Sequence, residues 1–305
     1  MSIEVVENNV GHLLEGPHWD QASGSLLYVD ILGQTVSRYN PGTGNTVKVD
    51  IGKQVGAVIP TRSGRTLVAA THVIGFLDWD SGQIETLIEV EKDRAEIRYN
   101  DAKCDSSGRL WVGTMGFESL PPGLNERVLP GLASLYCLHP DKSLKTHLQG
   151  VGLSNGMAWT EDYKTMYYID SFSGGVDTFD YDVASGTIEN RRRVITIPQN
   201  EGFPDGMCID SEGKLWVAHF MGAAVKRYDP LTGEKLRTVQ LPTDIITSCC
   251  WGGADLDELY VTSSKLSLSE EKLKAQDTAG YLFRVTGLGV KGVKAELFDD
   301  MSHLA

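Results

Sequence analysis

The sequence predicts an all-β protein, a six-bladed β-propeller, and three observations carry that expectation. A short apolar run recurs six times along the 305 residues, most copies follow a turn built of Gly, Asp or Ser, and no sustained amphipathic helix interrupts the series. The runs occupy residues 25–29, 65–68, 109–112, 165–168, 214–217 and 258–261. With Leu27, Thr66, Leu110, Met166, Leu215 and Leu259 as markers, successive intervals are 39, 44, 56, 49 and 44 residues, the period range of repeat architectures.

Each run is β-branched or aromatic in character and is preceded by a turn such as 23–24, 62–64, 105–108 or 210–213, which marks it as a strand. A second strand and turn follow it, as in residues 35–44 and again in 225–233, so three or four strands fit each unit. The best helical candidate, Ser267 to Gln276, is a short charged stretch between strands, expected to lie on the rim. Four-stranded units of this length, repeated with few helices, close into a ring that protects their sheet edges. The N-terminal segment from Ile3 to Glu7 reads as a strand that completes the last blade, beside residues 281–285 and 293–298.

Composition fits one propeller domain over residues 1–305, with its core spread over the seams between blades. Hydrophobic residues make up 41% and charged residues 23%, and no linker or low-complexity tract divides the chain. The opening residues lack the basic and apolar regions of a signal peptide, and no apolar stretch has membrane-spanning length, so the expected location is cytoplasmic. Five cysteines, an odd number without zinc-ligand spacing, read as reduced core residues. A formal charge of −13 opposes binding to nucleic acid or anionic lipid and leaves cations as the natural electrostatic partners.

The repeat also has an inner register. Trp19, Ile59, Cys104, Trp159, Ile209 and Trp251 stand six to eight residues before the markers, as anchors of an earlier strand in each unit. Four residues before every anchor stand Glu15, Val55, Asn100, Asn155, Asp205 and Thr247. The first strand of a propeller blade lines the central channel, so these six positions are expected to ring one end of it. Four of them are carboxylate or carboxamide oxygen donors, and Glu15, Asn155 and Asp205 are each followed by Gly, which leaves room near the channel axis. Asn-Gly and Asp-Gly also form hairpin turns, but turns have no reason to recur at a fixed distance before an anchor. An all-oxygen set of mixed charge suits one divalent hard cation, Ca²⁺ foremost, with Mg²⁺, Mn²⁺ or Zn²⁺ left open.

The segments Glu15-Gly16-Pro17-His18-Trp19, Arg98-Tyr99-Asn100-Asp101-Ala102-Lys103, Leu153-Ser154-Asn155-Gly156-Met157-Ala158-Trp159, Tyr168-Ile169-Asp170-Ser171 and Phe203-Pro204-Asp205-Gly206-Met207 together resemble the SMP-30/gluconolactonase family, which includes regucalcin and the luciferin-regenerating enzyme. The resemblance runs from about Glu15 to Val293. It implies a six-bladed propeller that binds one divalent cation and hydrolyses sugar lactones. By resemblance, Glu15, Asn155 and Asp205 match metal ligands, while Arg98, Asn100 and Glu118 match positions that contact the sugar.

The chemistry expected of such a site is opening of a small-molecule lactone by a water that the cation activates. Asp205 is the expected general base, because it can ligate through one oxygen and accept a proton on the other; Asp101 is the competing choice. Arg98 and Asn100 are expected to donate to substrate oxygens. His18 is read as structural rather than catalytic, and a serine hydrolase is disfavoured. Two alternatives stay open: a related hydrolase of an aromatic or heterocyclic substrate, which an apolar mouth would favour, and a non-enzymatic calcium-binding regulator.

Overall fold

Six antiparallel sheets, five of four strands and one of five, make up the described residues of the computed structural model, 1–7, 10–120 and 125–301. Blade one holds Leu14–Asp20, Ser25–Asp30, Thr35–Asn40 and Asn45–Asp50, and blade two Val55–Pro60, Thr66–Ala70, Val73–Leu77 and Ile84–Glu89. Blade three holds Ile97–Cys104, Leu110–Leu120, Ala133–Leu138 and Leu144–Val151, and its second strand runs on past the sheet to pair with Asn125–Val128. Blade four holds Ser154–Trp159, Thr165–Asp170, Gly175–Asp182 and Thr187–Thr196, and blade five Phe203–Ile209, Leu215–Phe220, Ala224–Tyr228 and Lys235–Gln240. Blade six takes Ile246–Gly252, Glu258–Ser263 and Leu282–Thr286 from the end of the chain and Ser2–Glu7 from its beginning. The expected closure by the N-terminal strand is therefore present, with Ile3 opposite Val285 and Val5 opposite Phe283.

The first strand of each blade is innermost, and these six strands contact one another in blade order around the ring. Burial falls outward. Every residue of Val55–Pro60 is buried, whereas in Lys235–Gln240 only Val239 is. Apolar side chains gather in six clusters, each spanning one seam between adjacent blades, from Ile59 with Leu110 between blades two and three to Trp19 with Tyr260 between blades one and six. Apolar side chains that repeat with the blade thus hold neighbouring blades together, and burying them is the main force that closes the ring. All five cysteines are buried and unpaired in these seams or beside them.

The anchors and markers lie across from each other or one residue apart: Cys104 pairs with Leu110, Trp159 with Met166, Ile209 with Leu215 and Trp251 with Leu259, while Trp19 pairs with Leu26 and Ile59 with Leu67. Four positions upstream, every inner strand breaks register. The irregularities fall between Glu15 and His18, Val55 and Ala57, Tyr99 and Asp101, Ser154 and Met157, Pro204 and Met207, and Ile246 and Ser248. A β-bulge re-aims a side chain that the regular pleat would direct into the sheet.

Two expectations are corrected. Residues 293–298 do not form a strand of blade six. They belong to a strap that makes isolated bridges at Asp210 with Gly292 and at Thr61 with Phe298, with Val293 to Glu296 lining a cavity beside His18 and Lys103. Gly156 and Gly206 do not serve merely to clear the channel axis. A Cβ on Gly156 would stand 2.7 Å from the Met207 nitrogen, and one on Gly206 would stand 2.5 Å from the Ser248 Cβ, so both are needed where neighbouring inner strands nearly touch. The charged stretch that is the best helical candidate forms one short helix, Glu270–Ala275, capped by the Ser269 hydroxyl. No helix among the described residues is long and apolar enough to cross a membrane.

Candidate functional site

The bulged positions of blades one, three, four and five bring Glu15, Asn100, Asn155 and Asp205 to one cavity at the mouth of the channel. Val55 and Thr247 occupy the same slot in blades two and six but bring no carboxylate, and the Thr247 hydroxyl is turned to the Leu14 carbonyl at 2.6 Å. The cavity offers about 180 Å³, against roughly 10–15 Å³ for one water, so it has room for a small molecule as well as an ion.

Hydrogen bonds settle how the carboxamides are oriented. Asn155 donates through Nδ2 to Ser171 Oγ at 2.9 Å and accepts at Oδ1 from Asn100 Nδ2 at 3.2 Å. Asn100 gives its second Nδ2 proton to the Ser154 carbonyl at 2.9 Å and accepts from Arg98 Nη1 at 3.0 Å. Both Asn100 donors are thus engaged within the protein, and it has only oxygen lone-pair capacity left.

Arg98 is buried, with four of its five N–H groups engaged. Nη1 also reaches the Tyr99 carbonyl at 2.9 Å, Nε meets Glu126 Oε2 at 3.3 Å, and Nη2 pairs with Glu126 Oε1. One N–H remains for a ligand. The expected ring of substrate donors is therefore, for the most part, a buried frame that holds the Asn100 and Asn155 oxygens in place.

Glu118 is not brought to this cavity. It is exposed on the extension of blade three and pairs with Arg127. Glu126, on the strand that faces this extension, lines the cavity instead. Sequence reasoning missed Glu126 because its position depends on the pairing of residues 117–120 with 125–128, which no repeat in the sequence marks. Ser171 was also missed as a working residue. It opens the short 3-10 turn Ser171–Ser173, which Asp170 caps while also accepting the backbone N–H groups of Gly152 and Leu153. Asp30 does the same for His12 and Leu13 ahead of Glu15.

The two carboxyls are short of donors. Among the hydrogen bonds described, Glu15 accepts only the Gly16 N–H at 3.0 Å. Burial, followed by the charge of Asp101, raises its pKa to about 8. Burial, then Glu15 and Asp101, hold Asp205 well above the ordinary carboxylate range, against a smaller opposing effect of the Asn155 amide. Burial and mutual repulsion disfavour ionising both carboxyls together, and a dication between them would reverse the sign of their interaction. Among the described residues no three His, Cys, Asp or Glu side chains are placed to share an ion. The donor chemistry that fits is two carboxylates completed by the Asn155 oxygen, an oxygen set suited to a hard cation. Asp101 does not line the cavity and accepts the Ala102 N–H at 2.7 Å, and His18 lines the separate cavity under the strap.

Above this polar floor the walls are apolar, and ten of the seventeen described residues that line the cavity carry apolar side chains, Leu13, Met115, Phe172 and Phe203 among them.

A ring of six blades with an acidic, carboxamide-framed mouth defines a β-propeller whose channel opens on a cavity of small-molecule size. The chain matches the SMP-30/Gluconolactonase/LRE-like region over residues 13–265, and it belongs to that family. Regucalcin of Xenopus laevis is 43% identical over 298 residues, covering 98% of each chain. A solved luciferin-regenerating enzyme superposes with a TM-score of 0.90 at 37% identity, covering 98% of this chain and 99% of the other. A calcium-binding protein, regucalcin from Agrobacterium tumefaciens, superposes with a TM-score of 0.88 at 25% identity over 96% of each chain.

Proposed function

We propose that this protein is a divalent-cation-dependent hydrolase that opens small-molecule lactones, with Glu15, Asn155 and Asp205 holding the cation and Asp205 acting as general base. One observation carries the reading: two buried carboxyls, both with raised proton affinity, line one cavity together with the Asn155 carboxamide. The family's own description names gluconolactonases, and the relative from Agrobacterium tumefaciens is a calcium-binding protein, which favours Ca²⁺.

When bound, the cation would polarise the lactone carbonyl and make the attacking water more acidic. Asp205 takes a proton from that water as the water oxygen bonds to the carbonyl carbon. The ring C–O bond then breaks, and Asp205 returns the proton to the departing ring oxygen, giving the open hydroxy acid. Arg98 and Glu126 neutralise each other at the cavity wall and keep the Asn100 oxygen aimed inward. Asp205 is favoured over Asp101 as base because it lines the cavity. A lone cation site would need no such cavity, which weighs against a purely calcium-binding role.

The test is hydrolysis of D-glucono-1,5-lactone after chelation, with Ca²⁺, Zn²⁺, Mn²⁺ or Mg²⁺ restored in turn, beside Asp205→Ala and Glu15→Ala. Activity that returns with metal and is lost in both variants supports the proposal. Activity that survives chelation or both substitutions overturns it.

A further inference from the structure

An apolar lip surmounts the polar floor. Among the described residues, the exposed phenylalanines are Phe172 and Phe203, 48% and 43% accessible, and both stand at this mouth. They come from different blades, yet their ring centroids lie 6.0 Å apart with the planes tilted by 52°. A folded monomer rarely leaves two large rings together in water unless they meet a ligand or partner.

A second observation is independent of exposure. Met221, half-exposed on the same lip, holds φ at 63°, the left-handed region in which a bulky side chain is strained and where Asn or Gly would be at ease. Strain of this kind concentrates at functional sites. The retained feature is an apolar side chain facing the cavity that Phe172 and Phe203 also line.

Both rings are tied to the polar floor by short stretches of chain. Phe172 follows Ser171, which holds the Asn155 amide, and Phe203 stands two residues before Asp205. A ligand whose carbonyl lies at Asp205 therefore projects its remaining atoms between the rings. A bare polyhydroxylated lactone would place hydroxyls against these apolar walls and leave them without partners.

We propose that Phe172, Phe203 and Met221 form a subsite for an aromatic or extended apolar substituent, so that the preferred substrate is a lactone or ester bearing such a group. This rests on the hydrolytic reading above. The experiment compares kcat/KM for dihydrocoumarin, an aromatic lactone, with that for D-glucono-1,5-lactone, in the wild type and in Phe172→Ala, Phe203→Ala and Met221→Asn. The expected wild-type ratio favours the aromatic lactone by at least about tenfold, and each variant lowers that ratio about tenfold. Met221→Asn should at the same time raise the melting temperature, because Asn tolerates the turn that strains Met. A wild-type ratio at or below one, or a ratio that no variant changes, overturns the subsite.

Should neither lactone be hydrolysed, the hydrolytic reading fails on its own. The subsite is then judged by calorimetric binding of 3-(2-hydroxyphenyl)propionate, the product of dihydrocoumarin opening. Binding weakened at least tenfold in Phe172→Ala/Phe203→Ala upholds the subsite, and equal binding by wild type and variant removes it.

Discussion

Four buried carboxylates on or just beyond the inner strands divide into two pairs that behave oppositely. Asp105 and Asp210 follow the ends of the inner strands of blades three and five and are saturated with donors. Asp210 accepts the Glu212 and Lys214 N–H groups, the Trp216 indole at 2.9 Å and Arg227 Nε at 2.7 Å. Asp105 likewise accepts from Ser107, Arg109, the Trp111 indole and the Tyr181 hydroxyl. Glu15 and Asp205 lie near the opposite ends of their strands, at bulges, and face each other with few donors. A turn that wraps around a carboxylate makes it structural, whereas a bulge that aims one into a cavity leaves its charge for a ligand to neutralise.

Exchanging side chains between the two classes gives the largest contrast. Asp205→Ala is expected to lower kcat for lactone opening by at least about 100-fold, the usual worth of a positioned general base, read by steady-state kinetics. Asp210→Ala should leave kcat alone but unfold at lower urea, losing about 3 kcal/mol because Arg227 and the Trp216 indole lose their buried acceptor. A stability loss at Asp205 equal to that at Asp210 would erase the distinction.

Cation binding sharpens it further. At Ca²⁺ one hundred times above the dissociation constant, the wild type should gain about 2.7 kcal/mol in stability, measured by thermal unfolding against a chelated sample. Asp205→Asn should lose that gain. In the chelated state it should be the more stable of the two proteins, because Asn has no charge to bury beside Glu15.

The smallest effect is in pH dependence. Glu15 has a raised pKa in the folded protein, so its contribution is fully present below the unfolded value near 4.5 and is lost as pH rises through about 8. His18 and His219 are pushed down to about 4, chiefly by burial, so their contribution is present above pH 6.5 and lost as pH falls toward 4. Between pH 6.5 and 8 the Glu15 contribution stands apart from these histidines. The chelated protein should lose stability across that window, and saturating Ca²⁺ should flatten the slope; parallel slopes with and without Ca²⁺ would remove Glu15 from the site.

Much of this was legible before folding. The six units, the inner-strand register, the closure by Ile3 to Glu7 and the placing of Glu15, Asn100, Asn155 and Asp205 around one mouth all follow from spacing, because in a propeller one repeat is one blade. The Trp19, Trp159 and Trp251 anchors were legible as packing for the same reason. The lip was not legible: Phe172 and Met221 lie in turns of two blades and Phe203 opens an inner strand, and no local pattern links them.

The sequence by itself therefore determined the architecture and the oxygen-donor chemistry of the channel, since both depend on residue type recurring at a fixed distance along the chain. Only the tertiary structure decided which polar groups remain free. Asn100 and Arg98 engage their donors with Ser154, Asn155 and Glu126, Glu118 turns to Arg127 at the surface, and Glu15 and Asp205 are left facing one another. Hydrogen-bond partners and charge repulsion act through space, across blades that meet only when the ring closes, and spacing along the chain carries no record of them.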